Sequence, residues 1–569
     1  MLAFAGIVVA VMQTLLVPVI KDLPELLGTS PSNATWVMTS TLLAGAVATP
    51  IMGRLGDLFG KRRMLIASLA VMVVGSLIAS FTSELLVMIV GRALQGFAMG
   101  AIPLGIGLMR DGLPREKLGS AMALMSSSIG VGGGLALPVA ALVAQHADWH
   151  ALFFGSAGLG ALSILLTLVF VPESPMRAVG TFDVWGALGL SAGLVLFLLP
   201  ITKGSDWGWT SGTTLGLFGA AAVVLLLWGL MELRVKAPLV DLRTTARPAV
   251  LFTNLASIMV GVAFYAVSLV LPQLLQLPTS TGYGLGQSMV VAGLCVAPLG
   301  LTMMFTAPVY ARISAKYGPK VTLMIGMLII AVGYGAGLGL MSAAWQTIVI
   351  AVVLGAGIGL AYSSLPALII GAVPPSETGA ANGLNTLMRS IGTSVSSAVI
   401  GMVLANTANQ VGGVAVPTMH GFRVSFMIAT GAVLLGLVFA AFLPGRRAAA
   451  NAEKPHLVAS SEDVEYVEVS PEPVPADQTA LAGFRGRVLT ADGVPVARAK
   501  VTLIDRRGRQ AGATLSVEDG SYALAVPTEG AYVLAVTAGG HGPLASGASH
   551  PGGARAVEMD LALPSVVPA

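Results

Sequence analysis

Residues 53–63, GRLGDLFGKRR, form a charged stretch with a glycine every few residues. Its side chains are typical of a conformational gate and not of a catalytic site. It holds a single acid, Asp57, among glycines and consecutive bases. An acid at a helix end can pair with a base or with the N-terminus of another helix, and such a contact can hold two elements in one state. We therefore predict a gate here, and in the alternative the bases only fix a membrane loop on one side. The predicted gate residues are Gly53, Asp57, Gly60, Lys61, Arg62 and Arg63.

Two arginines lie inside long apolar segments, where a charge is costly unless it faces protein or water. Arg92 stands in GRALQG, with Gln95 and Gly96, about 10 Å from one end of its segment. It either faces the interior of a helical bundle or reaches out to the membrane surface. Arg389 lies deeper in its segment, with Asn385 one turn before it. We predict that Arg389 lines a polar path or donates hydrogen bonds between helices.

A third apolar segment, SIGVGGGLALPVAALV at residues 128–143, is rich in glycine. Small residues let two helices approach closely, and a proline bends a helix. We predict a pliable helix contact built on Gly130, Gly134 and Pro138, with a purely structural glycine patch as the alternative.

The elements that position these residues must cross a membrane. The chain has 569 residues, of which 55% are hydrophobic and 10% charged, against about 25% charged in soluble proteins. Apolar runs of about 20 residues recur along most of it. We place about fourteen spans, at residues 2–20, 34–52, 64–81, 85–108, 119–144, 151–171, 184–202, 213–231, 249–272, 287–309, 321–341, 347–370, 379–405 and 421–443.

The loops between these spans differ in charge from one side to the other. Nearly all lysines and arginines fall on one side, from Arg54 to Arg446 and Arg447, and only Lys21 and Lys203 fall on the other. By the positive-inside rule we predict a multi-pass protein of the cell membrane with both termini in the cytoplasm. The bases form no stripe, so the net charge of +4 does not indicate nucleic acid, and the lipid bilayer is the expected partner.

Residues 53–63 resemble the loop signature of the major facilitator superfamily, G-x-x-x-[DE]-[RK]-x-G-[RK]-[RK], except that Leu58 stands where the family usually has a base. A second copy, ARISAKYGPK at residues 311–320, repeats the pattern without its acid. The resemblance implies an all-α membrane fold of two six-helix bundles. The two extra spans resemble the fourteen-span drug:proton antiporter branch. The expected domains are residues 1–183, an insert and loop at 184–248, the second bundle at 249–444, a disordered linker at 445–480 and a tail at 481–569.

The same resemblance implies roles for the other candidate residues. Arg92, Gln95 and Gly96 match the family's R-x-x-Q-G, whose arginine is linked to proton movement. The glycine-rich helix resembles the family's antiporter motif, although its usual core is G-P-x-x-G-G. Protons are thus the coupling ion that the resemblance implies. The predicted spans themselves contain no Asp, Glu or His, the groups that normally relay protons inside membranes.

The tail alternates short apolar strands with turn residues, as in ADG, EDG and EG. We predict a small all-β sandwich of roughly seven strands. It resembles the carboxypeptidase regulatory-like domains through G-x-V…DG-x-P…A-x-V-x-L…DG-x-Y. It has no nucleophile–base pair, and the sequence does not identify its partner.

Together these features predict a secondary transporter and not an enzyme. The chain has no Walker A pattern, so ATP is not its direct driver, and we expect no cofactor, no metal site and no catalytic residue. The favoured function is export of small hydrophobic or amphipathic compounds by alternating access. The alternatives are an importer of a small metabolite with the same fold, and a non-transporting membrane sensor that reports through the tail.

Overall fold

The computed structural model describes residues 1–16, 19, 22–178, 180–235, 237–411, 414–444, 483–490, 492–505, 510–525, 530–538, 541, 544–550 and 556–563. It divides into two compact units, Met1–Pro455 and His456–Ala569. The predicted linker at 445–480 lies outside the described residues, as do Lys21, Arg446 and Arg447.

The first unit is a set of long apolar helices. In chain order the helices are α1 Leu2–Thr14, α2 Trp36–Phe59, α3 Lys61–Ser80, α4 Leu85–Gly112, α5 Arg115–His146, α6 Ala151–Phe170, α7 Val184–Trp207, α8 Gly212–Glu232, α9 Pro248–Gln276, α10 Met289–Phe305, α11 Ala307–Tyr317, α12 Pro319–Gly337, α13 Ala344–Ile370, α14 Thr378–Asn406 and α15 Met419–Ala441. Within the described ranges, twelve helices are long and apolar enough to cross a membrane, and the bent pair α10–α11 makes a thirteenth. The short apolar helix α1 occupies the first predicted span.

Most of residues 53–63 are helical, so the predicted charged turn is wrong in extent. Helix α2 continues to Phe59, and α3 begins at Lys61. Only Gly60 is left to reverse the chain, with φ of 111° that favours glycine. The span ended too early in the prediction because Arg54 and Asp57 interrupt the apolar run, yet neither residue breaks a helix. Gly318, with φ of 88°, makes the same break before α12 in the second copy. We call the side of the first unit that carries Gly60 the Gly60 side.

The helices form two bundles, each with its own apolar core. One core is formed by all of the helices from α1 through α5 and contains residues such as Met12, Leu69 and Met122. The other joins α9, α10, α12, α13, α14 and α15 through residues such as Val267 and Phe426. The bundles meet where α2 packs against α14 and where α5 packs against α10 and α13.

The two extra helices form a hairpin against the line where the bundles meet. Helix α7 packs on both α2 and α14 and shares one apolar cluster with them. Helix α8 packs on α7, and its buried residues are Thr214, Ala221 and Glu232. Most of the other α8 residues are apolar and are exposed or half-buried, as expected of a helix with one face toward lipid.

The second unit is all-β and consists of two sheets. Strands β1 Ala408–Val411 and β2 Val414–Pro417 form a hairpin in the first unit. The described strands of the second unit are β3 Gly483–Thr490, β4 Lys500–Ile504, β5 Gln510–Leu515, β6 Ser521–Ala525, β7 Gly530–Thr537, β8 Leu544–His550, β9 Val557–Glu558 and β10 Leu561–Leu563. The sheet orders are β10-β3-β6, with β9 also on β3, and β5-β4-β7-β8. One apolar core that includes Phe484, Leu503 and Leu534 joins the sheets. The predicted fold, polytopic helices followed by a β-sandwich, is confirmed.

Candidate gate between the bundles

The carboxylate of Asp57 caps a helix of the opposite bundle. Its Oδ1 accepts the backbone N–H of Gly379 at 3.0 Å, and its Oδ2 accepts that of Ala380 at 2.8 Å. These N–H groups belong to the first turn of α14, where a helix has no carbonyl partners for them. The carboxylate therefore meets both the free donors and the positive end of the helix dipole. Asp57 is 0% exposed, so this contact is sealed from solvent.

Lys61 is the base that lies between two acids, Asp57 and Asp111. Its Nζ lies 3.6 Å from Asp57 Oδ1 and 2.6 Å from Asp111 Oδ2, and the lysine is 0% exposed. Asp111 also accepts a hydrogen bond from Ser174 Oγ at 2.5 Å. A buried charge is tolerated when opposite charges or hydrogen-bond donors surround it, and here Lys61 bridges the two acids while the first turn of α14 also stabilises Asp57.

Arg62 and Arg63 lie apart from Asp57, although the sequence groups them with it. Their backbone N–H groups donate to Glu173 at 3.0 and 3.3 Å, and the Arg62 guanidinium donates to the Leu168 carbonyl at 2.7 Å. Glu173 thus caps α3 within its own bundle, as Asp57 caps α14 across the bundles.

A second contact between the bundles comes from Arg110, which was not among the predicted gate residues. Its guanidinium donates to the hydroxyl of Thr378 and to the carbonyls of Val373 and Pro374, at 3.4 and 3.5 Å for the carbonyls. The signal for it in the sequence is a base in the last turn of a long apolar helix, but many membrane helices end in this way.

Glycines allow α2 and α14 to touch along their backbones. A Cβ on Gly379 would lie 2.6 Å from the carbonyl oxygen of Gly53, and a Cβ on Gly53 would overlap the backbone of Gly379. One turn further, a Cβ on Gly383 would lie 2.9 Å from the Thr49 carbonyl oxygen. The bundles are therefore closed against each other on the Gly60 side.

The glycine-rich helix α5 makes the other main contact between bundles. The three predicted residues, Gly130, Gly134 and Pro138, face α10 and contact glycine, alanine and methionine residues there. Here too the absence of side chains brings two helix backbones together. The facing pairs are Gly130 with Gly300, Gly134 with Ala297, and Pro138 with Gly293.

Arg92 lies inside the first bundle and is 1% exposed, so it does not reach out to the membrane surface. It donates to the carbonyls of Val37 at 3.3 Å and Met12 at 3.4 Å, and to Gln95 Oε1 at 2.6 Å. Gln95 in turn donates to Ser76 Oγ at 2.7 Å. These bonds tie α1, α2, α3 and α4 together. Beside them, Gly96 packs against the α2 backbone at Gly45.

Arg389 and Asn385 lie inside the second bundle. Asn385 donates to Asn254 Oδ1 at 2.9 Å and to Ser257 Oγ at 2.7 Å, which joins α14 to α9. The Arg389 guanidinium lies 4.7 Å from the centre of the Tyr362 ring, a cation–π contact, and the residue is 7% exposed. The structure does not bring Arg92, Arg389 and Asp57 together into one site: each lies in a different part of the helical unit.

A cavity of about 370 Å³ adjoins the gate. It opens beside the first turn of α14 and the short segment that precedes α9, and charges of both signs line it. Arg54, one helical turn before the gate acid, forms part of its wall. The charged lining residues are Arg54, Arg177, Asp241 and Glu377.

Comparison with known proteins agrees with this architecture. The family model described as Major Facilitator Superfamily matches residues 2–397 and 253–476, and that of the carboxypeptidase regulatory-like domain matches residues 483–564.

Two relatives are named for drug resistance or export. The tetracenomycin C resistance and export protein of Streptomyces glaucescens is 28% identical over 398 residues, which cover 67% of this chain and 71% of that protein. The multidrug resistance protein B homolog of Mycobacterium tuberculosis is 27% identical over 319 residues, 54% of this chain and 56% of that protein. The alignment therefore spans about half of the second relative.

Among solved structures, the proton:xylose symporter XylE superposes with a TM-score of 0.56 at 16% identity, over 78% of this chain and 94% of that one. This similarity establishes the fold. The chain belongs to the Major Facilitator Superfamily, a family of membrane transporters and not of enzymes, and it carries a carboxypeptidase regulatory-like domain after its helices.

Proposed function

We propose that the protein is a secondary active exporter of small hydrophobic or amphipathic compounds, with the Gly60 side in the cytoplasm. The observation that carries this proposal is the Asp57 cap on α14, in which one carboxylate accepts two backbone hydrogen bonds from the opposite bundle. The relatives named for export and multidrug resistance support the direction and the substrate class. The one-sided distribution of bases supports the orientation.

The closed gate defines one state of an alternating-access cycle. With α2 and α14 in contact, the Gly60 side is shut, and a solute can leave or enter only from the opposite side. To open the Gly60 side, Asp57 must leave the first turn of α14, and Arg110 must release Thr378. The contact between α5 and α10 also lies between the bundles, and its glycines place no side chains in the interface that would block sliding or rocking of the helices.

The strength of the gate suits a reversible switch. A hydrogen bond to a charged group contributes about 1.5–3 kcal/mol to stability. Two such bonds from Asp57, together with the favourable helix dipole, bias the equilibrium toward closure by a few kcal/mol. About 5.5 kcal/mol of differential binding moves a two-state equilibrium from 1:99 to 99:1. Solute and coupling ion together can therefore supply enough free energy to reverse it.

Proton coupling belongs to this proposal through the family resemblance. The first bundle supplies Arg92, whose guanidinium is buried and bonded to backbone carbonyls rather than to an acid. A conformational change that alters those bonds would change the electrostatics of the bundle interior. Arg92 alone does not carry a titrating proton, because a guanidinium does not deprotonate in proteins.

Efflux from vesicles tests the proposal. Cells that lack the protein are first screened for increased sensitivity to antibiotics and dyes, and a compound found in this way is loaded into proteoliposomes that contain the purified full chain. We expect efflux that accelerates when a proton gradient is imposed and slows when the gradient is collapsed. Failure to move any screened compound, or growth loss on a single nutrient instead of drug sensitivity, would contradict the exporter function.

The same vesicles test whether the tail is required. A chain that ends after residue 480 should still move the compound if the helices carry transport. Complete loss of flux from correctly inserted truncated protein would favour a sensor or a tail-dependent mechanism. Protease access to the tail in inverted and right-side-out vesicles reports its side of the membrane directly.

A further inference from the structure

Two carboxyl groups meet at the base of the α7–α8 hairpin, on the Gly60 side. Asp183 caps α7, and its Oδ1 accepts the Gly186 N–H at 2.8 Å. Glu232 ends α8, and its Oε1 accepts the Val240 N–H at 2.7 Å. In each carboxyl group, one oxygen therefore accepts a hydrogen bond from a backbone N–H group close to it in the sequence.

The second oxygen of each group has no such partner. Asp183 Oδ2 and Glu232 Oε2 are both buried, and neither has a hydrogen-bond donor among the described residues. Glu232 as a whole is 2% exposed. Buried polar atoms are satisfied in the great majority of native structures, so each exception needs a physical explanation.

The two orphan oxygens approach the same point in space, so they are at most about 5 Å apart. Glu232 Oε2 is 2.8 Å from the point that a Cβ on Gly186 would occupy, and Asp183 Oδ2 is closer still to the same point. Glycine at this position leaves the space in which the two groups meet. Trp228 closes one side of the space by donating its Nε1–H to the Gly186 carbonyl at 2.9 Å.

No described base neutralises the pair. Arg234 is exposed, and Arg243 donates to the Leu233 carbonyl at 3.3 Å. Asp241 directs its carboxylate to the N–H groups of Arg243 and Thr244 in the next helical turn. Two carboxylates whose facing oxygens are buried repel each other, and this repulsion favours uptake of a proton by one of them.

We propose that Asp183 and Glu232 share one proton and form the proton-binding site of this transporter. A single proton on either orphan oxygen makes an O–H···O hydrogen bond to the other, which satisfies both atoms at once and removes the repulsion. The predicted spans offered no acid for this task, because Asp183 and Glu232 stand at helix ends and are 49 residues apart in sequence. The role in coupling rests on the proposed function, whereas the bound proton does not.

A path of contacts leads from the pair to the gate. Val240, which Glu232 holds through its N–H, packs with Leu239 in the apolar cluster that contains Leu384 and Leu387 of α14. The same cluster includes residues of α2, so it touches both gate helices. Loss of the shared proton would separate the carboxylates, shift the segment around Val240 and change its packing against α14. Asp183 is only half-buried, which gives water access to one end of the pair.

Infrared spectroscopy of the purified full chain tests the bound proton without any substrate. We expect a C=O stretching band of one protonated carboxyl group at neutral pH, shifted in D₂O, that disappears in Asp183→Asn and in Glu232→Gln. Each replacement keeps the shape of the side chain and supplies an amide donor for the remaining carboxylate. The matched control is Glu25→Gln at an exposed glutamate, which should leave the band in place. Absence of the band from the native protein, or its persistence in both variants, overturns the shared proton.

Coupling is tested separately with a pH-sensitive dye trapped in proteoliposomes. Native protein should move protons in the direction opposite to the exported compound. Asp183→Asn and Glu232→Gln should each reduce the rate of proton-driven export at least tenfold. Downhill exchange of the compound should remain in both variants. Unchanged proton-driven export in both variants overturns the coupling role. A protein that shows the infrared band but moves no compound at all would contradict the proposed function and leave the proton site standing. Thermal melting of each variant in detergent shows whether it is folded.

Discussion

Replacement of Asp57 by asparagine should open the gate on the Gly60 side. Asparagine can still accept one N–H of α14 with its carbonyl oxygen, but its NH₂ group would face the second N–H, where two donors meet. The change removes one charge-assisted hydrogen bond, worth about 1.5–3 kcal/mol. It also removes the attraction between the carboxylate and the helix dipole, worth about 0.3–1 kcal/mol at exposed sites and up to about 2 kcal/mol when partly buried.

The sum favours the open state by about 2–5 kcal/mol relative to the native protein. Since about 1.4 kcal/mol is a factor of ten in an equilibrium constant, the open fraction should rise by about 30-fold to 4,000-fold, up to saturation. The substitution leaves no unpaired base behind, because Lys61 remains paired with Asp111 at 2.6 Å.

Cysteine labelling measures this shift. Thr49 is buried on α2 directly behind the gate, and the chain has one native cysteine, Cys295, which is also buried. In a Cys295→Ala background, Thr49→Cys should react slowly with a membrane-impermeant maleimide applied from the Gly60 side. Addition of Asp57→Asn should accelerate the reaction by at least tenfold.

The matched control is Glu173→Gln. Glu173 also caps a helix N-terminus with its carboxylate, but that helix belongs to its own bundle. The control variant should lose a comparable local interaction and leave the labelling rate of Thr49→Cys unchanged. Equal acceleration in both variants would mean that general loosening of the Gly60 side, and not the cap across the bundles, controls access. No acceleration with Asp57→Asn would refute the gate.

Three further outcomes follow from the contacts described above. Gly53→Ala places a methyl group against the backbone of Gly379, so labelling behind the gate should be faster than in the native protein even though Asp57 is intact. Arg92→Lys keeps the charge but cannot reproduce the planar donor fork, so both Arg92→Lys and Arg92→Ala should reduce flux, and unchanged flux in both would reduce this residue to a structural role. In the tail, Tyr522→Phe removes the hydrogen bond to the Met559 carbonyl and should destabilise the β-domain by about 1 kcal/mol in denaturant unfolding, with no effect on flux.

Local sequence patterns were sufficient to predict the membrane helices and the sandwich. Apolar runs of about 20 residues mark spans because lipid cannot satisfy a non-helical backbone. The two glycines that reverse the chain, Gly60 and Gly318, lie in repeated motifs and both have positive φ. The glycine-rich segment lies against α10, a partner that the sequence did not indicate.

Contacts between residues that are far apart in the sequence could not be predicted from local patterns. Asp57 accepts bonds from residues more than 300 positions later, and nothing in the local pattern marks the first turn of α14 as its target. Asp183 and Glu232 are likewise joined only by the folding of the α7–α8 hairpin. The helix α2 was also predicted to end too soon, because hydropathy measures the apolar run and not the continuity of the helix.

The central claim, that α2 and α14 must separate and close for a solute to cross, is tested most directly by cross-linking the gate. Arg110 and Thr378 contact each other across the bundles. In the Cys295→Ala background, a cleavable bifunctional maleimide joins the thiols introduced by Arg110→Cys and Thr378→Cys. Efflux of the compound found in the sensitivity screen is then measured from proteoliposomes before cross-linking, after it, and after cleavage. We expect cross-linking to abolish efflux and cleavage to restore it. Undiminished efflux through a fully cross-linked gate would show that the two helices need not separate.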